Sequence, residues 1–78
     1  MLGAHLDGVP EGPGIHDNAS GVATLLVVAN AFQSLPEPPR RSVLFVATAA
    51  EEQGLLGSEW FVAHPTVPPS RMAAAIIE

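Results

Sequence analysis

The chain has 78 residues, a formal charge of −5, 47% apolar residues, no cysteine and no lysine. That leaves room for one small domain or part of a larger one, and the apolar content is too high for a disordered segment despite eight prolines. The acidic balance argues against nucleic acid and anionic membrane surfaces as partners, since phosphates need Lys and Arg; without Cys there is no disulfide or thiolate chemistry, and no apolar run reaches the roughly 20 residues that cross a bilayer.

Residues 2–6 form a short predicted strand, and the loop "DGVPEGPGIHD" follows it. From 20 to 35, Val22, Leu25, Leu26, Ala29 and Phe32 recur at helical spacing. Val27, Val28 and Ala31 fill other faces, so this helix is expected to be buried on more than one side. Asp17, Asn18 and Ser20 can each cap it. "PEPPR" (36–40) ends it in a turn. Residues 42–49, "SVLFVATA", run apolar without alternation, which suits a parallel strand covered on both faces. A second helix is predicted over 55–64, closed by Pro65, with Trp60 and Phe61 in the core and His64 at its end. A third strand is predicted over 72–77. "LGAHLD" begins inside a strand and "RMAAAIIE" stops in an apolar run, so 1–78 is expected to be a partial domain truncated at both ends.

Strand, helix, strand, helix, strand is the pattern of an α/β fold with largely parallel strands. In such sheets, chemistry gathers where strands end and helices begin. His5 and Asp7 end the first strand, Glu51 and Glu52 the second, and Asp17 precedes the first helix. One sheet edge therefore collects the acids. Arg40 and Arg41 stand at the other end of the second strand, about 25 Å away at 3.3 Å per residue, too far to neutralise it. Acids converging in a partly dry cleft must take up protons or bind a metal. His5 favours metal, because an imidazole among carboxylates is a common zinc environment.

His5 and Asp7 lie two apart on a strand and share a face, so the Asp7 carboxylate can hold the His5 ring nitrogen not used for metal. Adjacent glutamates leave a strand end in different directions. One can bind metal while its neighbour takes a proton from a metal-bound water, as metal-assisted hydrolysis requires. Each motif also has a plainer use. Glu51 and Glu52 favour the dipole of the following helix, and Asp17 and Asn18 make a turn and cap. His16 reads as a loop residue. It is their gathering at one edge that points to a site. "GPGIHD" lacks the third glycine of a dinucleotide loop, "GLLGSEW" lacks the serine-hydrolase elbow, and no phosphate-binding G-K-[ST] occurs.

Together, "GAHLDGVPEGPGIHDNASGVATLL" and "RSVLFVATAAEEQGLLGSEWFV" resemble the M28 family of zinc metallopeptidases, most of all its bacterial secreted aminopeptidases. The resemblance covers essentially the whole chain. It implies a fragment of the zinc-exopeptidase three-layer sandwich, a mixed sheet between helices. It further implies two zinc ions in the complete site, bridged by Asp17, with His5 on one, Glu52 on the other, Glu51 as general base and Asp7 supporting His5. The Asp17–Asn18 peptide bond is expected to be cis. The substrate implied is the N-terminus of a peptide or protein, and the location secreted or periplasmic, although the residues themselves leave the compartment open. His16 departs from the Asn of many relatives. The family's further ligands, an acid just after the third strand and a later histidine, fall outside these residues, with Glu78 just before the acid's position. A related zinc carboxypeptidase, an M20-type deacylase and a catalytically dead interaction domain are the alternative readings.

Overall fold

A computed structural model describes all 78 residues. Three strands, β1 (Leu2–His5), β2 (Phe45–Thr48) and β3 (Ile76–Ile77), form one parallel sheet in the order β2-β1-β3. Two helices complete it, α1 (Ser20–Gln33) between β1 and β2, and α2 (Leu56–Ala63) between β2 and β3. The α/β class and the order of elements agree with the sequence pattern.

β1 sits in the centre because it is the strand that can be buried. Gly3, Ala4 and His5 are all buried, and Ala4 is the single buried hydrophobic residue. β1 and β2 pair in register from Leu2↔Phe45 to His5↔Thr48, so both strands end at the same edge. β3 pairs through Leu2↔Ile76 and Gly3↔Ile77.

The outer strands are shorter than their apolar runs suggest. β2 begins at Phe45 rather than at residue 42, because its partner β1 begins at Leu2, whose N–H already reaches the Leu44 carbonyl at 2.8 Å. For the same reason β3 keeps only the two residues that face β1. α2 stops at Ala63, one residue short of His64, which leaves helical geometry ahead of Pro65.

α1 lies against β1 and β2. Val22, Leu25, Val28, Ala29 and Phe32 are half-buried on its inner face, with Phe32 set edge-to-face against Phe45 at 6.2 Å. Its outer face carries Leu26, 69% exposed, and Val27, 68% exposed. The expectation of burial on several sides is therefore corrected: this helix buries one side only. Ala47 of β2 is exposed as well, so that strand is not covered on both faces. Trp60, expected in the core, is 64% exposed and stacks on His64 at 4.3 Å, near-parallel. The molecule is a slab of 44 × 28 × 14 Å, as thick as a single sheet with one helix layer. No helix is long and apolar enough to cross a membrane.

Two glycines lock the loops that carry the acids. A Cβ on Gly57 would run into the Ala49 backbone, to whose carbonyl the Gly57 N–H donates at 3.0 Å. This contact presses the start of α2 against the end of β2. A Cβ on Gly21 would strike the Asn18 amide. Overpacking of this kind costs about 1–3 kcal/mol. Gly57→Ala is accordingly expected to lower the urea midpoint by that amount of stability; an unchanged midpoint would mean that α2 is not held against β2 as described.

Candidate metal centre at the carboxyl edge of the sheet

The site is assembled where β1 and β2 end. His5, the last residue of β1, is only 7% exposed. Its Nδ1–H donates to the main-chain carbonyl of Asp7 at 3.0 Å. A donor at Nδ1 leaves the lone pair of the neutral ring on Nε2, the nitrogen that faces the carboxylates. Nε2 stands 3.0 Å from Asp17 Oδ1 and 3.8 Å from Glu51 Oε2.

Asp17 arrives from the turn Ile15–Ala19, which connects the loop to α1. Asp17 and Asn18 break the helical geometry there, and the peptide bond between them is cis, as the resemblance implies. The Asp17 side chain is 75% exposed, whereas Asn18 is buried. Asn18 Oδ1 accepts the Gly21 N–H at 2.9 Å, three residues on, in the manner of a helix cap. Asn18 Nδ2 donates to the Glu78 carbonyl at 2.8 Å, just past β3. The cap position itself falls on Ala19; of the three predicted caps only Asn18 bonds an N–H of the first turn, and it ties the start of α1 to the sheet. Nothing in the sequence distinguishes it from Asp17 or Ser20, because its second partner is 60 residues away.

Glu51 and Glu52 come from the turn that joins β2 to α2. This turn is tight and contains two non-glycine residues in the left-handed region, Ala50 (φ 57°) and Leu55 (φ 64°). Such geometry costs roughly 1–2 kcal/mol per residue and persists only where surrounding bonds enforce it. Here the N–H groups of Gly54 and Leu55 donate to the Glu51 carbonyl, and the Leu56 N–H to that of Ala50. Both glutamates are half-buried, and His5, Glu51 and Glu52 each offer a ligand atom within 4.8 Å of the others.

Asp7 differs from expectation in one respect. The group bonded to the His5 ring is its main-chain carbonyl; the carboxylate Oδ1 lies 3.5 Å from Nδ1. The carboxylate instead accepts two main-chain N–H groups, that of Glu51 on Oδ1 at 3.0 Å and that of Glu52 on Oδ2 at 3.1 Å. These two bonds, the Glu51 amide first, hold the Asp7 carboxyl below its ordinary value.

The five residues singled out from sequence are therefore brought together. Arg41 is occupied elsewhere, donating to the Arg71 carbonyl at 2.6 Å. His5, Asp17 and Glu51 line an open cleft of about 500 Å³. Thr48, Leu55, Ser58 and Glu78 also contribute to its wall, as does His16. Sequence reading missed the first three, because a residue's presence in a wall depends on how two loops meet and not on its own type.

Electrostatics follow from this crowding. Burial alone lowers the His5 pKa, but the Asp7 carbonyl and the charges of Glu51 and Asp17 outweigh it, so the imidazole is raised above 6.5. Desolvation pushes the Glu52 carboxyl up, and the neighbouring Asp17 and Glu51 charges add to it.

A family model for Peptidase family M28 matches residues 1–77. The chain belongs to peptidase family M28. A "Probable lipoprotein aminopeptidase" of Mycobacterium tuberculosis is 52% identical over 62 residues, covering 80% of this chain and 12% of that protein. An aminopeptidase of Bacillus subtilis is 44% identical over 61 residues, covering 78% of this chain and 13% of the relative. A "Vacuolar membrane protease" of Yarrowia lipolytica is 42% identical over 65 residues, covering 83% and 7%. This M28 chain thus spans between 7% and 13% of the length of these three relatives. No solved structure matches it.

The raised pKa of His5 has a defined consequence for stability. A group that holds its proton more tightly when folded stabilises the fold fully below its unfolded pKa of 6.5, and this contribution is lost as pH rises through the folded value. The His5 ring protons are expected to titrate above pH 6.5 in an NMR titration, and Glu51→Gln to bring that midpoint down. A midpoint unmoved by Glu51→Gln would place the glutamate's charge away from the ring.

Proposed function

We propose that this chain carries part of the zinc site of an M28 aminopeptidase. In this reading His5, Asp17 and Glu52 are metal ligands, Glu51 is the general base and Asp7 orients the set. The observation that supports it most is the meeting of His5 with Asp17, Glu51 and Glu52 at one sheet edge, without a Lys or Arg side chain among them. The donor set fits the metal. One imidazole nitrogen and carboxylate oxygens within 4.8 Å are an N/O environment suited to zinc. The two-zinc complement of a complete M28 site would need ligands in addition to these.

A bound zinc supplies a Lewis acid and brings the pKa of a coordinated water toward 7. The chain's own residues do the rest. The Asp7 carbonyl keeps the Nδ1 proton in place, so Nε2 presents its lone pair. Glu52, in the turn after β2, offers a carboxylate beside it. Glu51 Oε2, 3.8 Å from Nε2, is close enough to the donors to accept a proton from a group seated among them. A cleft lined by acids suits the ammonium group of a peptide N-terminus, in keeping with relatives named aminopeptidases. A secreted or periplasmic place for the whole protein is part of the same reading.

Zinc binding by the 78-residue chain, followed calorimetrically, tests the reading. His5→Ala and Glu52→Gln should each weaken zinc by roughly 100-fold or more, beyond what losing an outer partner costs. Because zinc must displace the proton that His5 holds, affinity should fall as pH drops through a midpoint above 6.5, with proton release on binding. By itself the chain should bind zinc weakly and not turn over an aminoacyl-anilide. In the whole protein, Glu51→Gln should abolish turnover and leave zinc content intact; surviving activity would refute the general-base role.

A further inference from the structure

We propose that the Asp7 side chain is a positioning residue for Glu51 and Glu52, and that its service to His5 is performed by its main chain alone. The two tasks are separable in the bond pattern. The His5 Nδ1–H is taken by the Asp7 carbonyl at 3.0 Å, a group that any residue at position 7 possesses. The carboxylate instead accepts from the turn after β2, one oxygen for each of two successive N–H groups, those of Glu51 and Glu52, and its Oδ1 stays 3.5 Å from the His5 ring nitrogen. Paired main-chain N–H groups aimed at one carboxylate make an anion-holding concavity of the kind that left-handed residues create. Ala50, immediately before the pair, has φ 57°.

The position of this contact explains what it does. The β1–β2 ladder has its last pair at His5↔Thr48, and the Leu6 N–H reaches the Thr48 carbonyl at 2.7 Å. Beyond that point β2 departs into the strained turn, whose Glu51 and Glu52 amides donate to the Asp7 carboxylate. The Asp7 carboxylate continues the pairing of the two strands by two bonds. It therefore sets where the Glu51 and Glu52 side chains begin relative to the His5 ring. Removing the carboxylate frees the two glutamates and leaves the ring in place. Only the consequence for zinc rests on the metal reading above; the bonding pattern stands apart from it.

Asp7→Asn is the discriminating substitution. It keeps shape and main chain but replaces one acceptor oxygen with an NH₂ group, which cannot receive an N–H. On the isotopically labelled 78-residue chain, the Glu51 and Glu52 amide protons should move upfield in Asp7→Asn and exchange with solvent ~10-fold faster or more. The ring nitrogens of His5 should keep the chemical shifts of the Nδ1–H form. Zinc affinity should fall about 10- to 100-fold, as for loss of an outer partner, and this loss should shrink toward zero in a Glu52→Gln background. Unmoved Glu51 and Glu52 amides together with altered His5 ring shifts would overturn the proposal. So would an equal zinc penalty with and without Glu52. The wild-type chain provides a test that does not depend on the variant folding: scalar couplings across hydrogen bonds from the Glu51 and Glu52 amide nitrogens to Asp7 Cγ should be present, and their absence would overturn the proposal. A wild-type chain that shows these couplings but takes up no zinc would sink the metal reading and uphold the positioning role.

Discussion

The gathering of like charge around a single imidazole is the constraint from which the rest of this structure follows. Carboxylates of Asp17, Glu51 and Glu52 approach His5 at the edge of a small sheet, without a guanidinium or ammonium group among them. Mutual repulsion and partial desolvation disfavour such an arrangement unless protons or a cation are shared among them. The raised pKa values of His5 and Glu52 are the direct expression of that tension. A divalent ion relieves it more completely than a proton can, because it meets several oxygens and the imidazole at once.

Holding the acids there is the work of the main chain. Parallel pairing brings β1 and β2 to a common end, so His5 and the turn after Thr48 are neighbours by register. The turn is kept tight by left-handed Ala50 and Leu55, by the missing Cβ of Gly57 and by the two amide bonds to Asp7. On the other side, buried Asn18 anchors the residue after Asp17 to both α1 and the chain beyond β3. Asp17 is exposed, yet its main chain is pinned on one flank. Each charged side chain thus extends from backbone held by bonds that are themselves uncharged or one-sided in charge, and the site does not depend on its own ion pairs for its shape.

The fold that carries this edge is covered on one side. Only five residues are buried, and apolar side chains such as Leu26, Val27 and Trp60 face outward. Burial of about 25 cal/mol per Å² of apolar surface is the main source of stability in a small domain, so a slab with one helix layer has little in reserve. That is why the glycine contacts and side-chain bonds at the loops weigh heavily here. A single lost bond at Asn18 or Asp7 is a larger fraction of the total than it would be in a domain with two covered faces.

The order of elements, the parallel class and the gathering of the five candidate residues at one sheet edge were legible in the sequence. They rest on local properties: the helical spacing of Val22, Leu25, Ala29 and Phe32, the unbroken apolar run before Glu51, and acids at strand ends. Element lengths were not legible, because a strand extends only as far as its partner, and β1 is four residues long. Nor was the burial of α1 and Trp60, since apolar character permits burial but does not supply a covering layer. The Asp7 carboxylate shows the division most clearly. Spacing placed it beside His5 correctly, but the choice between the His5 ring and the amides of Glu51 and Glu52 depended on where a residue 44 positions away came to rest. Local sequence determined which groups could bond, and the pairing of distant strands decided which of them did.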